Sequence, residues 1–152
     1  MLFNRKNREL KNSSKDETKT SKSEKTIFDV EKAIEKEKDE NKLALLCTAA
    51  GMAYMYGEHG ANEDINKAEY YLKKGMEYGS PDSYFSLGEL YISSFTDDLK
   101  KFSEGIVMIC HCYSSGIERE RARNILQFIV DEGVLPGYTS VEQLVLEYEA
   151  SV

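Results

Sequence analysis

The chain repeats itself at an interval of 37 residues. Moving the sequence along itself by that distance superimposes glycines, two tyrosines and several small or apolar residues. The matched pairs are Gly51 with Gly88, Tyr54 with Tyr91, Ala68 with Gly105, Leu72 with Ile109 and Gly79 with Gly116. Self-similarity at a period in the thirties is typical of helical repeats, in which each unit packs against its neighbours. The repeat therefore predicts a stacked, all-α fold.

Each of the two clear copies is predicted to contain two helices. The copies span about 43–79 and 80–116. In the first copy, apolar residues recur at helical spacing as far as Tyr56, and a glycine-rich turn follows. Asp64 is suited to begin the second helix, which Gly79 ends.

A glycine lies at the same place inside the first helix of both copies, at Gly51 and Gly88. Glycine inside a helix costs roughly 1 kcal/mol relative to alanine. Because the same unfavourable residue is used twice, we expect a packing reason for it. The two glycines predict a close helix crossing that leaves no room for a side chain.

The N-terminal end of the array, 26–42, is predicted to be a degenerate unit. Thr26 followed by Asp29 has the spacing of a capping box, so a helix is predicted to begin there and to end near Asp39. It is expected to be the second half of an incomplete first repeat. The repeat domain as a whole is predicted to span 26–152.

The C-terminal end, 117–152, is predicted to be degenerate as well. Thr139 and Glu142 have capping-box spacing, which predicts a last helix over 140–150. Atypical end units are expected in a repeat array because they must close the core against water. In total, about six to seven helices are predicted.

The first copy resembles a Sel1-like repeat, a relative of the tetratricopeptide repeat. The matching residues there are Ala50-Gly51, Tyr54, Gly57, Gly60, Asp64, Lys67-Ala68, Tyr70-Tyr71, Lys74 and Gly79. In the second copy they are Ser83, Leu87-Gly88, Tyr91, Gly105 and Gly116. The second copy departs from the pattern in its turn, 94–97, and in reading Glu104-Gly105 for Lys-Ala. The resemblance implies a right-handed α-α superhelix and a non-catalytic role in protein–protein interaction.

Charge divides the chain into a basic segment and an acidic body. Residues 1–25 hold eight Lys/Arg and four Asp/Glu, a net charge of +4, which leaves −11 on the other 127 residues of a chain with −7 in total. The segment has no apolar periodicity, so we expect a disordered basic tail, either solvated or in contact with an anionic surface. The basic patch that nucleic-acid-binding domains carry on their folded face is not predicted.

Long apolar segments are missing from the sequence. No stretch approaches the roughly 18–20 apolar residues of a membrane span. The residues after Met1 lack the apolar core of a secretory signal. We therefore expect a cytoplasmic protein with no integral membrane segment.

Catalytic and metal-binding patterns are not found either. Cys47, Cys110 and Cys112 are too few for a disulfide framework, and successive residues of a helix point in different directions. No second Cys/His pair completes a tetrahedral metal site, so the cysteines are predicted to pack as small apolar residues. His59 and His111 lack a recognisable nucleophile partner. Neither an enzyme nor a cofactor is predicted.

A stripe of side chains beside the inward face of the first helices recurs every 37 residues. It comprises Thr48, Met52 and Met55, then Phe85, Glu89 and Ile92, then Ala122, Leu126 and Ile129. In tetratricopeptide-like stacks the first helices line a concave face, and methionine and aromatic residues suit adaptable partner grooves. The first six residues are therefore the candidate partner-binding groove. The alternative is that some of them are core or are covered by the last helix.

The function predicted first is that of an adaptor or regulator, which binds a peptide or a helix of another protein on its concave face. The second is an immunity-type or inhibitory protein, whose acidic body neutralises a basic toxin or enzyme. The third is a hydrolase, as proposed for some disulfide-rich Sel1-repeat proteins, but this sequence lacks their paired cysteines.

Overall fold

The computed structural model describes residues 25–150, which form seven α-helices and no β-strand. The helices are α1 (Ile27–Lys36), α2 (Glu40–Tyr56), α3 (Ile65–Glu77), α4 (Pro81–Ser94), α5 (Leu99–Ser115), α6 (Arg119–Asp131) and α7 (Val141–Glu149). The prediction of an all-α fold with six to seven helices is confirmed. The predicted basic tail lies outside the described residues, apart from Lys25. The handedness of the superhelix stays a prediction.

Contacts between helices follow the order of the chain. Each helix packs against the next one, α2 also packs against α4, and α5 also packs against α7. Contacts confined to near neighbours are those of a stacked array. Helix α4 lies at the centre, and every residue from 83 to 92 except Tyr84 is buried. Its side chains join the two halves of the core, because Phe85 packs in one cluster and Leu87 in the other.

The two repeated glycines lie where helices cross closely, as predicted. A Cβ atom added at Gly51 would lie 2.6 Å from Leu72 Cγ of α3. One added at Gly88 would lie 3.0 Å from Met108 Cβ of α5. Both distances are at or below the closest that carbon atoms approach in packed interiors. The pairs α2–α3 and α4–α5 are therefore held in the same way in both units.

Helix starts agree with the sequence in one case and differ in another. At α1, the Thr26 side chain accepts from the Asp29 backbone N–H, and Asp29 accepts from the Thr26 backbone N–H at 3.0 Å, which is the predicted capping box. At α7 the prediction of Thr139 as the cap was wrong. Ser140 is the cap and accepts from the Gln143 N–H at 3.2 Å. The Gln143 side chain accepts from the backbone N–H of Thr139, the residue before the cap, at 3.1 Å.

Candidate partner-binding surface

Five of the six residues predicted to line a groove lie in the interior. The solvent-exposed fraction of the residue is 7% for Thr48, 2% for Met55, 0% for Phe85, 2% for Glu89 and 6% for Ile92. The alternative considered above, that the stripe belongs to the core, describes these five. Met52 is the one member of the six that stays partly exposed. An open stripe running across both units is therefore not present in this structure.

Thr48 can be buried because its hydroxyl has hydrogen-bond partners on its own helix and at the start of α4. Thr48 Oγ1 donates to the carbonyl oxygen of Ala44 at 2.7 Å. The same atom lies 2.9 Å from Ser80 Oγ and 2.6 Å from Ser83 Oγ. Buried polar groups with partners avoid the penalty of desolvation. This cluster of hydroxyls lies between α2 and the start of α4, so it serves packing.

The acid in the middle of the stripe is covered by an arginine from α6. Arg121 Nη2 donates to Glu89 Oε2 at 2.9 Å, and the guanidinium lies 4.6 Å from the centre of the Phe85 ring. Arg121 Nη1 also lies 3.3 Å from Glu118 Oε2. Burial raises the pKa of Tyr56, and the negative charge of Glu89 raises it further. These contacts cover the part of α4 that was predicted to be an open groove.

A glutamate that accepts from a tyrosine hydroxyl recurs at two successive boundaries between units, and it was not predicted from the sequence. At the first boundary, Glu31 Oε1 of α1 accepts from the Tyr54 hydroxyl at 2.7 Å and from the Tyr71 hydroxyl at 3.0 Å. Burial raises the pKa of both tyrosines, and the hydrogen bond to Glu31 adds to the effect. Lys67 Nζ lies 3.2 Å from the Tyr54 oxygen.

At the boundary between the first and second copies, Glu69 of α3 takes the place of Glu31. Its Oε1 accepts from the Tyr91 hydroxyl at 2.9 Å, and its Oε2 accepts from Lys101 Nζ at 2.8 Å. Lys73 Nζ lies 2.8 Å from Oε1. Burial alone would raise the pKa of Glu69, but the hydrogen bonds outweigh it and lower the pKa to about 2. Glu31 and Glu69 therefore tie the second helix of one unit to the first helix of the next.

The three cysteines are buried and reduced, in keeping with packing as small apolar residues. Burial raises the pKa of Cys110 and of Cys112 to about 12, so both thiols stay protonated at neutral pH. Burial also raises the pKa of Cys47. Within 25–150, no three His, Cys, Asp or Glu side chains are grouped so that they could hold a metal ion.

An accessible groove lies between α1 and α2, with a volume of about 410 Å³. Ile27 and Val30 of α1 form one wall, and Ala49, Met52 and Ala53 of α2 form the other. Its rim is polar, with Lys25, Glu58 and His59. The groove contains Met52, the accessible member of the predicted set. Ala49 and Ala53 could have been found by shifting Ser86 and Leu90 of α4 back by 37 positions, whereas Ile27 and Val30 of α1 could not.

A second cavity, of about 580 Å³, lies on the opposite pair of helices, α3 and α5, with α4 as its floor. Met76 and Lys73 line it from α3, and Leu87 and Tyr91 line it from α4. Helix α5 contributes a longer set, which is Lys100, Ser103, Glu104, Val107 and Met108. This cavity was not predicted from the sequence.

Comparisons with protein families, with curated proteins and with solved structures found no match. The Sel1-like resemblance stays a prediction that depends on the residues quoted for it. None of the helices in the described part of the chain has the length and apolarity required to span a membrane.

Proposed function

We propose that the protein is a non-catalytic interaction module that binds one amphipathic helix of a partner protein in the groove between α1 and α2. Two observations support the proposal. The first is the place of α1 in the repeat, and the second is the chemistry of the α2 face that the groove exposes.

Within residues 25–150, helix α1 has the position of a second helix, and no described first helix precedes it. Glu31 of α1 accepts from Tyr54 of α2, just as Glu69 of α3 accepts from Tyr91 of α4. The glutamates are 38 residues apart and the tyrosines 37. Helices α1 and α2 therefore have the same relative position in the repeat as helices α3 and α4. The place that corresponds to α2 itself, one unit earlier, lies beside the α1–α2 groove, and none of the residues 25–150 occupies it.

The α2 face in that groove is more apolar than the matching face of α4, and this observation carries the proposal. On α4, Ser83 contacts Thr48 of α2, and Ser86 and Glu89 continue along the helix. Shifted back by 37 residues, these three positions are Leu46, Ala49 and Met52, of which Ala49 and Met52 line the groove.

An end unit that faces water is expected to replace apolar contact residues by polar ones. Here the exchange goes the other way, since two serines and a glutamate are replaced by three apolar residues. Leu45, next to them, is 66% exposed. A surface of this kind is suited to an apolar helix face, as in other helix-in-groove interactions. Because α4 and α2 have 14 and 17 residues, the groove fits a helix of similar length.

The test uses a double variant, Ala49→Glu with Met52→Glu, which places two charges in the groove. A tagged wild-type protein captures candidate partners from a native lysate, and each candidate is then purified and titrated by calorimetry. We expect the groove variant to bind at least tenfold more weakly than wild type, because buried charges would have to lose their water. Unchanged helical circular dichroism establishes that the variant is folded.

The matched control is Leu146→Glu, which adds a charge on α7, where the side chain is 69% exposed. It should bind the partner like wild type. A partner that binds the groove variant and the control with the same Kd contradicts the proposal. An association rate that falls steeply with salt, together with an unaffected groove variant, would instead favour the inhibitor alternative, in which the acidic body attracts a basic target.

A further inference from the structure

The contact between α2 and α4 is a template for a helix bound one unit earlier, in the α1–α2 groove. Thr48, in the middle of α2, lies 2.9 Å from Ser80 and 2.6 Å from Ser83, at the start of α4. Tyr56, the last residue of α2, lies beside Glu89, further along α4. The contacts advance in the same direction along both helices, so α2 and α4 are parallel.

The residues that would meet a bound helix differ in polarity from those that meet α2. At the start of α4 and along it, buried polar residues follow one another at a spacing of three, namely Ser80, Ser83, Ser86 and Glu89. The residues 37 positions earlier are all apolar, namely Leu43, Leu46, Ala49 and Met52. None of the latter four is buried, and Ala49 is exposed. A helix that covers them therefore meets apolar side chains where α2 meets hydroxyls and a carboxylate.

The wall formed by α1 adds a condition on size. Leu72 of α3 crosses α2 at Gly51, where an added Cβ would lie 2.6 Å from Leu72 Cγ. At the 38-residue shift that relates α3 to α1, Leu72 corresponds to Ile34 and Ala68 to Val30, which lines the groove. A helix that packs on α1 as α2 packs on α3 has room only for a small residue at the position equivalent to Gly51.

We propose that the partner helix lies parallel to α2 and carries an apolar residue at position i, glycine or alanine at i+3, and an apolar residue at i+8. These positions are equivalent to Thr48, Gly51 and Tyr56 of α2. The residue at i packs on Leu43 and Leu46, and the residue at i+8 packs on Met52. The inference rests on the proposed function and adds the direction and the sequence pattern of the helix, which select partners in helix-in-groove binding.

The N-terminal segment of the same chain does not carry this pattern. Within 1–24, the only apolar residues eight positions apart are Leu2 and Leu10. With these two at i and i+8, the position equivalent to Gly51 is Arg5, and the position equivalent to Tyr54 is Arg8. Both positions pack on the second helix of a unit. Because a charge placed there loses its water against apolar side chains, the groove favours a separate partner.

The test uses a synthetic 17-residue copy of α2, with Thr48→Leu and Tyr56→Leu, and with alanine in place of its cysteine. A lactam bridge between positions 45 and 49, both exposed on α2, holds the peptide in a helix. Fluorescence anisotropy with the full-length chain measures Kd. We expect this peptide to bind about tenfold more tightly than the one that keeps Thr48 and Tyr56, because its two leucines are buried against apolar residues.

The matched control for size is the same peptide with Gly51→Leu, which should not bind because α1 leaves no room for the side chain. Equal Kd values for the three peptides, or no binding by any of them, would overturn the sequence pattern. The proposed function is decided separately, by the binding of the captured partner to the Ala49→Glu, Met52→Glu variant. A failure of this inference is thereby distinguished from a failure of the proposed function.

Disulfide formation measures the direction of the bound helix. A cysteine at i of the peptide should cross-link to Leu46→Cys and not to Met52→Cys, and a cysteine at i+8 should do the reverse. The opposite pairing would refute the parallel direction and leave the proposed function standing. The native cysteines are buried and do not compete.

Two further measurements identify other occupants of the groove. Peptide binding that is seen only after deletion of residues 1–24 would make that segment the occupant and overturn the proposal. A wild-type dimer in analytical ultracentrifugation that the peptide dissociates would identify a second copy of the chain, which also overturns it. We expect a peptide affinity that the deletion leaves unchanged and a chain that sediments as a monomer.

Discussion

The Tyr91 hydroxyl donates a hydrogen bond to Glu69 with an O–O distance of 2.9 Å. The same contact occurs one unit earlier, between Tyr54 and Glu31, at 2.7 Å. Both tyrosines are on first helices, and both glutamates are on the second helix of the unit before. The contact thus fixes the step from one unit to the next. It also gives α1 the position of a second helix, and no described residue fills the first-helix position before it.

Stability at low pH should depend on Glu69. Its pKa of about 2 lies below the ordinary value of 4.5, so the stabilisation is present above about pH 4.5 and is lost as the pH falls toward 2. The difference corresponds to about 3 kcal/mol. Urea unfolding at pH 5, 4, 3 and 2 should show this loss in wild type and a smaller loss in Glu69→Gln. Glu77→Gln, an exposed change on the same helix, should behave like wild type. Equal pH dependence in all three proteins would contradict the assignment.

The crossing at Gly51 can be tested with a double-mutant cycle. Gly51→Ala gains helix propensity of about 1 kcal/mol, but its Cβ would lie 2.6 Å from Leu72 Cγ. We expect a net loss of about 1–3 kcal/mol in the free energy of unfolding. In a Leu72→Ala background the same change should cost less, because the side-chain clash is gone and only the contact with the Leu72 backbone nitrogen at 3.1 Å remains.

The matched control for that cycle is Ala49→Gly on the exposed side of α2, which should cost about 1 kcal/mol through propensity alone. Urea denaturation followed by circular dichroism measures all the variants. A Gly51→Ala protein more stable than wild type would show that the crossing has room for a methyl group.

Much of the fold could be predicted from the sequence because local signals repeat. The shared glycines at 51 and 88, the turn residues and the apolar spacing act within a unit, so they indicate two helices and one crossing each time. The buried stripe could not be predicted, because its burial depends on how tightly successive units pack. Arg121 reaches Glu89 from 32 residues away, and no local pattern reports such a contact.

The two open sites illustrate a different limit. A comparison of equivalent positions in the units does indicate them: Ala49 is at the position of Ser86, and Met108 is at the position of Tyr71. The change of residue type alone, however, does not decide whether a site is open or filled. A smaller residue leaves a cavity only if the neighbouring helices stay apart, and an apolar residue at an end is exposed only if no helix covers it. Both conditions are properties of the packed array.

Removing only one partner of the ion pair between Glu89 and Arg121 should lower the free energy of unfolding. Glu89 is 2% exposed, and Arg121 covers it from α6 at 2.9 Å. Arg121→Leu should lower the free energy of unfolding by about 3 kcal/mol, because the carboxylate loses its cation in a buried place. Glu89→Gln with Arg121→Leu should recover part of that loss. Thermal and urea denaturation measure both; a double variant less stable than Arg121→Leu would mean that the charge of Glu89 is stabilised by other groups.

A helix inserted directly before α1 should occupy the first-helix position that none of the described residues fills. A copy of residues 39–63, inserted between Lys25 and Thr26, supplies a first helix and its turn, since Thr26 precedes α1 as Asp64 precedes α3. The copy carries alanine in place of its cysteine. Met52→Cys in the original α2 should react readily with a thiol reagent in the parent chain and at least tenfold more slowly in the extended one.

The native cysteines interfere little with that measurement because all three are buried. Leu146→Cys on α7 is the control and should react at the same rate in both chains. An extended chain that gains helical circular dichroism but leaves Met52→Cys fully reactive would mean that the new helix forms without docking. Protection of Met52→Cys, in contrast, would show that the groove accepts a helix, which is the property that the proposed interaction requires of a partner.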